Sequence, residues 1–316
     1  MRRSIVILAV VTILGSLGLP AVHAADPSHV VTTFDSNPEG LTIDKTGTAY
    51  VSFAFTGEIR AISPDGSQRT VATLPTGGGF GPTGLVTDPQ GNLYAGVVTT
   101  DPATQGVYRI ARDGTVERLP GTEAIPFANG IAFDQRGNLY VGDSFSGAIW
   151  RIPRGGSAEI WADDPLLDGD GSAGFGFPIG SNGVAVRHNT LFATVSEGAR
   201  VVRIPILPDG SAGAVETFAE SPDLYGSDGI ALDVHGNIWV PVIIQSTIVR
   251  ISADGSKIDQ VFTSDDGLDF ASSDAFGTGR GNRKTLYAVN FALGPPGGTG
   301  PALLAFDVGV PGVPLP

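Results

Sequence analysis

The chain contains no cysteine, a single methionine and only 19 lysines and arginines among 316 residues. Without cysteine there can be no disulfide, zinc–thiolate site, haem thiolate or cysteine nucleophile. The few basic residues face 32 acidic ones, a formal net charge of −13. A surface of that sign repels phosphate backbones, which excludes nucleic acid as an expected partner. Long apolar runs are also scarce. The one present, Ile5 to Leu19, is about 15 residues long, short of the roughly 20 that span a bilayer. It follows Met1-Arg2-Arg3-Ser4 and precedes Pro20 and the small-residue site Val22-His23-Ala24. That order is the signature of a secretory signal peptide over residues 1–24. The expected mature protein, residues 25–316, is a soluble monomer, secreted or periplasmic, with no membrane partner once the signal is cleaved. Its net charge is then −15.

What the chain does have is turn residues. Its 45 glycines and 23 prolines make up roughly a fifth of it, while hydrophobic residues reach 41% and charged ones only 16%. Such a chain packs a core but leaves little room for long helices, so an all-β fold is predicted. Five stretches align at sight: Glu39-Gly-Leu-Thr-Ile-Asp-Lys-Thr-Gly47, Thr83-Gly-Leu-Val-Thr-Asp-Pro-Gln-Gly91, Asn129-Gly-Ile-Ala-Phe-Asp-Gln-Arg-Gly137, Asn182-Gly-Val-Ala-Val-Arg-His-Asn189 and Asp228-Gly-Ile-Ala-Leu-Asp-Val-His-Gly236. A sixth, degenerate copy is expected from Asp274. Copies begin 44 to 53 residues apart.

In most copies a polar residue and a glycine open a short apolar run that ends in a D-x-x-G turn. A second strand with a central aromatic follows, such as Leu139-Tyr-Val141 or Ile238-Trp-Val240. A third usually carries an arginine, and a D-G or G-G turn leads to a fourth. Four short antiparallel strands per repeat, six times over, predict a six-bladed β-propeller in one domain over residues 25–316. The last copy lacks its fourth strand, and the segment His29 to Phe34 lacks a partner. That segment is therefore expected to close the last blade.

The first position of each copy is polar but varies: Glu39, Thr83, Asn129, Asn182, Asp228, Asp274. Such residues often cap their own turns. In a propeller, however, all six would ring one mouth of the central channel. Three carboxylates brought together repel unless a cation or protons neutralise them. Oxygen ligands without histidine or cysteine suit a hard cation, Ca²⁺ before Mg²⁺, with other divalent ions as alternatives.

With these motifs the chain resembles the senescence marker protein / gluconolactonase (regucalcin-like) family of six-bladed calcium propellers. The resemblance rests on Pro38-Glu39-Gly40, Ser181-Asn182-Gly183-Val184 and Ser227-Asp228-Gly229-Ile230-Ala231-Leu232-Asp233. It implies a Ca²⁺ site formed by Glu39, Asn129, Asn182 and Asp228, with Thr83 beside the pocket as a substrate contact. It also implies hydrolysis of a small cyclic ester at the channel mouth. Asp228 would then be the catalytic base or nucleophile, or a ligand alone, with Asp274 as the next candidate beside the substrate. Sugar-lactone members commonly carry an arginine two residues before the third-blade Asn. Here that residue is Phe127, which points to an apolar or aromatic lactone or another ester.

The mature chain's histidines, His29, His188 and His235, fit no paraoxonase-like pair. The longest spacing holds Asp168-Gly-Asp170-Gly-Ser-Ala-Gly-Phe175-Gly-Phe177-Pro178. This is either a plain surface loop or a lid whose Phe175 and Phe177 close over a ligand. Its Asp-Gly-Asp-Gly piece lacks EF-hand spacing. Propellers also serve as scaffolds for protein or glycan ligands, and that non-catalytic reading is the main alternative. A virginiamycin-lyase-like enzyme is a third, but those propellers have seven blades.

Overall fold

Asp134 shows how each repeat folds its first hairpin. Its Oδ1 accepts the backbone N–H groups of Arg136 and Asn138, both at 2.9 Å, closing the D-x-x-G turn. Its Oδ2 accepts from Asn138 Nδ2 at 2.8 Å and from the Tyr140 hydroxyl at 3.4 Å. The central aromatic of the second strand is thus tied to the turn before it. Asp88 holds Asn92 and Tyr94 in the same way, and Asp233 holds Asn237 and Trp239. Gly137 supplies the positive φ of 83° that ends the turn. In the fourth repeat Arg187 replaces the aspartate, and the aromatic is Phe192, which has no hydroxyl to place.

A computed structural model describes residues 28–293 and 298–314. The expected signal peptide lies outside the described residues, as do residues 25–27, 294–297 and 315–316. Among the described residues, strands form six four-stranded sheets, and helix is confined to five three-residue 3₁₀ turns. The fold is the six-bladed propeller expected from the repeats. Five blades are contiguous in sequence. The sixth is closed by the strand Ser28–Thr33, which pairs antiparallel with Ala302–Asp307. No helix of the described residues is long and apolar enough to cross a membrane.

Burial falls from the axis outward. In the first blade the inner strand Pro38–Ile43 is buried throughout, whereas the outer strand Gln68–Thr73 is mostly exposed. The core lies between blades. Each of the six apolar clusters joins side chains of two neighbouring blades, as where Tyr140 and Trp161 of the third pack against Leu191 and Val202 of the fourth. Outer strands are tied back by surface pairs such as Arg109–Glu117 and Arg203–Glu216, each worth about 0–1 kcal/mol.

The glycine after each opening polar residue has a steric cause. A Cβ on Gly130 would stand 2.5 Å from the Asn182 carbonyl oxygen, and one on Gly183 would stand 2.4 Å from that of Asp228. Only glycine lets neighbouring inner strands approach this closely around the axis.

Candidate active site

The backbone of the sixth blade changes one expectation. Gly183 N–H donates to the Asp228 carbonyl, and Gly229 N–H donates to the Ser272 carbonyl, both across a blade boundary. Ser272, not Asp274, is therefore the sixth-blade counterpart of Asp228. Strand pairing agrees: Asp274 faces Ala288 where Leu41 of the first blade faces Val51. Asp274 takes the channel position filled by Leu41, Leu85, Ile131, Val184 and Ile230 in the other blades. It lies two residues deeper than expected and lines a separate pocket with Leu41, Val184 and Phe276. The misplacement arose because Asp-Ala-Phe-Gly imitates the polar opening, while the true opening, Ser272-Ser273, lacks the glycine.

Thr83 also departs from expectation. It is fully buried, and its hydroxyl donates to the Ala128 carbonyl at 2.6 Å, fastening blade two to blade three. It is not among the residues that line the cavity at the channel mouth.

The other four opening residues, Glu39, Asn129, Asn182 and Asp228, line one cavity of about 170 Å³ at the channel mouth. All four are buried, each with under a tenth of its surface exposed. Two serines orient the amides. Asn129 Nδ2 donates to Ser144 Oγ at 3.2 Å, and Asn182 Nδ2 donates to Ser196 Oγ at 3.1 Å. Each serine hydroxyl donates in turn to a backbone carbonyl of the next blade, Ser144 to Ser181 at 3.0 Å and Ser196 to Ser227 at 2.6 Å. With the nitrogens committed, the Asn182 Oδ1 is left buried with no hydrogen-bond partner. A buried carbonyl oxygen without a donor is costly unless a cation or donor meets it.

The carboxylates are strained in the same sense. Burial pushes the Asp228 carboxyl up to about 8, against the lowering effect of the nearby Asn182 amide. Glu39 is raised well above the usual carboxylate range, first by burial and then by the Asp228 charge. Two buried carboxylates and two amide oxygens form a hard, oxygen-only donor set that suits Ca²⁺. Among the described residues no three His, Cys, Asp or Glu side chains cluster as a ligand group.

Around this polar floor the wall is aromatic. Phe80, Phe127, Phe175, Phe177 and Phe291 all line the cavity. Phe127 stands edge-on to Phe145 at 4.8 Å, and Phe177 lies 4.8 Å from the same ring. Phe80 links Phe127 at 6.1 Å to Phe291 at 5.9 Å. The expected lid residues therefore do reach the cavity.

Residues 177–289 match the family model of the SMP-30/Gluconolactonase/LRE-like region. That segment of gluconolactonase-like sequence includes Asn182, Asp228 and the serine Ser196, and it bears out the resemblance read from the fourth and fifth blades. No curated protein matches the chain. Among solved structures, the calcium-binding protein regucalcin from Agrobacterium tumefaciens is 16% identical with a TM-score of 0.69, covering 91% of this chain and 95% of its own. A gluconolactonase from Xanthomonas campestris is 18% identical with a TM-score of 0.67, covering 90% and 89%. A luciferin-regenerating enzyme is 16% identical with a TM-score of 0.68, covering 90% and 95%. At these identities the likeness is one of fold.

Several site residues were not anticipated from sequence: Ser144, Ser196, Glu197, Phe80 and Phe291. A signal for the serines was nonetheless present. Only the two repeats that open on asparagine carry serine at the end of the second strand, where the others carry Ala54, Val98, Ile243 and Phe291.

Proposed function

We propose that this chain is an exported, monomeric, calcium-dependent hydrolase of the lactonase type, a carboxylic ester hydrolase acting on a small cyclic ester with an apolar or aromatic substituent. The observation that carries the proposal is the meeting of two buried carboxyl groups and two serine-oriented amides at the floor of an aromatic cavity. The gluconolactonase-like segment and the regucalcin likeness support it.

Glu39, Asn129, Asn182 and Asp228 would hold the cation. Once bound, it would polarise the ester carbonyl and stabilise negative charge on its oxygen. The chain's own groups do the rest. The phenylalanine wall holds the substituent and keeps bulk water away from the reacting ester. Asp228, which would be ionised with the cation held beside it, would take a proton from the water that adds to the carbonyl carbon. It returns that proton to the ring oxygen as the ester C–O bond breaks, so one water is consumed and a hydroxy acid leaves. Ser196 keeps Asn182 from turning its nitrogen into the site.

The deciding experiment is turnover of a panel of aryl- and alkyl-substituted lactones by wild type and Asp228→Asn. Loss of turnover in the variant supports the mechanism, and retained turnover removes Asp228 from it. A wild type inert on every ester, with no thermal response to calcium, would leave the binding-scaffold reading in its place.

A further inference from the structure

Between the third and fourth blades, residues 168–179 leave the propeller and return over the cavity, carrying Phe175 and Phe177. Besides a hydrogen bond between Ser172 Oγ and the Tyr225 hydroxyl at 3.1 Å, this arm is held by the side chain of Glu197, just beyond the second strand of the fourth blade. Its Oε2 accepts the backbone N–H groups of Asp170 at 2.8 Å, Gly171 at 2.6 Å and Ile179 at 3.0 Å. Its Oε1 accepts that of Ala173 at 2.9 Å. The carboxylate is buried and belongs to no ion pair among the described residues. Four aligned N–H dipoles are what offset its burial.

The fit is close. A Cβ on Gly169 would stand 2.7 Å from Glu197 Oε2 and 2.5 Å from the Ile179 backbone. Beyond the held root, Phe175 lies between Gly174 and Gly176, both at positive φ. Its ring is half exposed, and Phe177 rests on Phe145 at the cavity rim. A large apolar surface placed over a polar site and left partly uncovered is suited to an apolar ligand group.

We propose that Glu197 is a positioning residue that latches this aromatic arm, and that Phe175 and Phe177 bind the apolar substituent of the substrate. Glu197 thereby sets preference among esters without touching the reacting atoms. The specificity half rests on the hydrolase reading above, whereas the latch can be measured without turnover.

The latch is read by chymotrypsin cleavage after Phe175 in folded wild type, Glu197→Gln and Gly169→Ala. Glu197→Gln turns an amide N–H towards N–H donors, and Gly169→Ala crowds the carboxylate from the other side. Losing bonds to a charged acceptor should speed cleavage at Phe175 by about tenfold or more in each variant. Melting curves establish that each variant is folded, and the second variant decides if the first does not fold. Cleavage at the wild-type rate in a folded variant would overturn the latch. For specificity, KM for an aryl-substituted lactone should rise about tenfold with kcat little changed, the loss expected for a displaced apolar contact. KM for an unsubstituted lactone should stay at the wild-type value. Equal effects on both lactones would overturn the specificity role. If the wild type hydrolyses neither, the hydrolase reading fails while the proteolysis still decides the latch.

Discussion

Asn182 donates from Nδ2 to Ser196 Oγ at 3.1 Å, and this bond decides which end of the amide faces the channel. The serine hydroxyl already donates its one O–H to the Ser227 carbonyl at 2.6 Å, so it can only accept from the asparagine. The Asn182 carbonyl oxygen is left buried without a hydrogen-bond partner, beside the cavity that Glu39 and Asp228 also line.

Ser196→Ala should weaken calcium binding, because the amide is then free to turn its nitrogen inward. Outer-sphere partners of metal ligands typically contribute about 10–100-fold in affinity. Calorimetric titration with calcium chloride measures this, and Ser144→Ala should act in the same direction through Asn129. A dissociation constant within twofold of wild type would mean that the serines do not orient the amides.

Asp274→Leu should stabilise the protein. Both carboxyl oxygens of Asp274 are buried without a partner, and the other five blades place an aliphatic residue at this position. Removing an unpaired buried polar group should gain about 1–3 kcal/mol in chemical denaturation. Burial raises the Asp274 carboxyl well above its ordinary range. The folded form therefore keeps a proton that the unfolded form releases, and wild-type stability declines as pH rises above the usual Asp range. The advantage of the leucine variant should grow with pH in the same window. Unchanged stability would point to a partner for Asp274 in solution, and lost turnover at unchanged stability would give it a role in the reaction.

Phe127→Arg should shift preference between substrates. The ring lies within the aromatic wall, against Phe145 and near Phe80 and Phe177. A guanidinium there offers donors to hydroxylated lactones and removes apolar contact. KM should fall for a sugar lactone and rise about tenfold for an aryl lactone. The same ranking of substrates in both enzymes would show that Phe127 takes no part in selection.

The architecture was legible because one unit is written six times, and Asp134, Gly137 and Tyr140 each have a local reason for their place. The cavity floor was legible in two steps: the opening residues of the repeats are polar but vary, and the family resemblance implies Glu39, Asn129, Asn182 and Asp228 among them. Asp274 was misread because the sixth repeat has Ser273 where the others have glycine. Thr83 was misread because a polar opening residue can spend its hydroxyl on the neighbouring blade. Glu197 could not have been found this way. Its four partners are backbone N–H groups, and which of them converge depends on the path of the loop rather than on side-chain identity.

The central claim is that Glu39, Asn129, Asn182 and Asp228 form a cation site. The direct test is the melting temperature of wild type and Glu39→Gln, each in chelator and in excess calcium, from pH 5 to pH 8. In chelator, Asp228 keeps its proton up to about pH 8 in the folded protein and releases it near pH 4 when unfolded. Wild-type stability without calcium should therefore fall as pH rises through this range. Calcium at a hundred times its dissociation constant adds about 2.7 kcal/mol, which is on the order of 5 °C for a domain of this size. At one fixed calcium concentration the account predicts such a rise in wild type, larger at pH 8 than at pH 5, and little or none in Glu39→Gln. A wild-type melting temperature that ignores both chelator and calcium at every pH would contradict it.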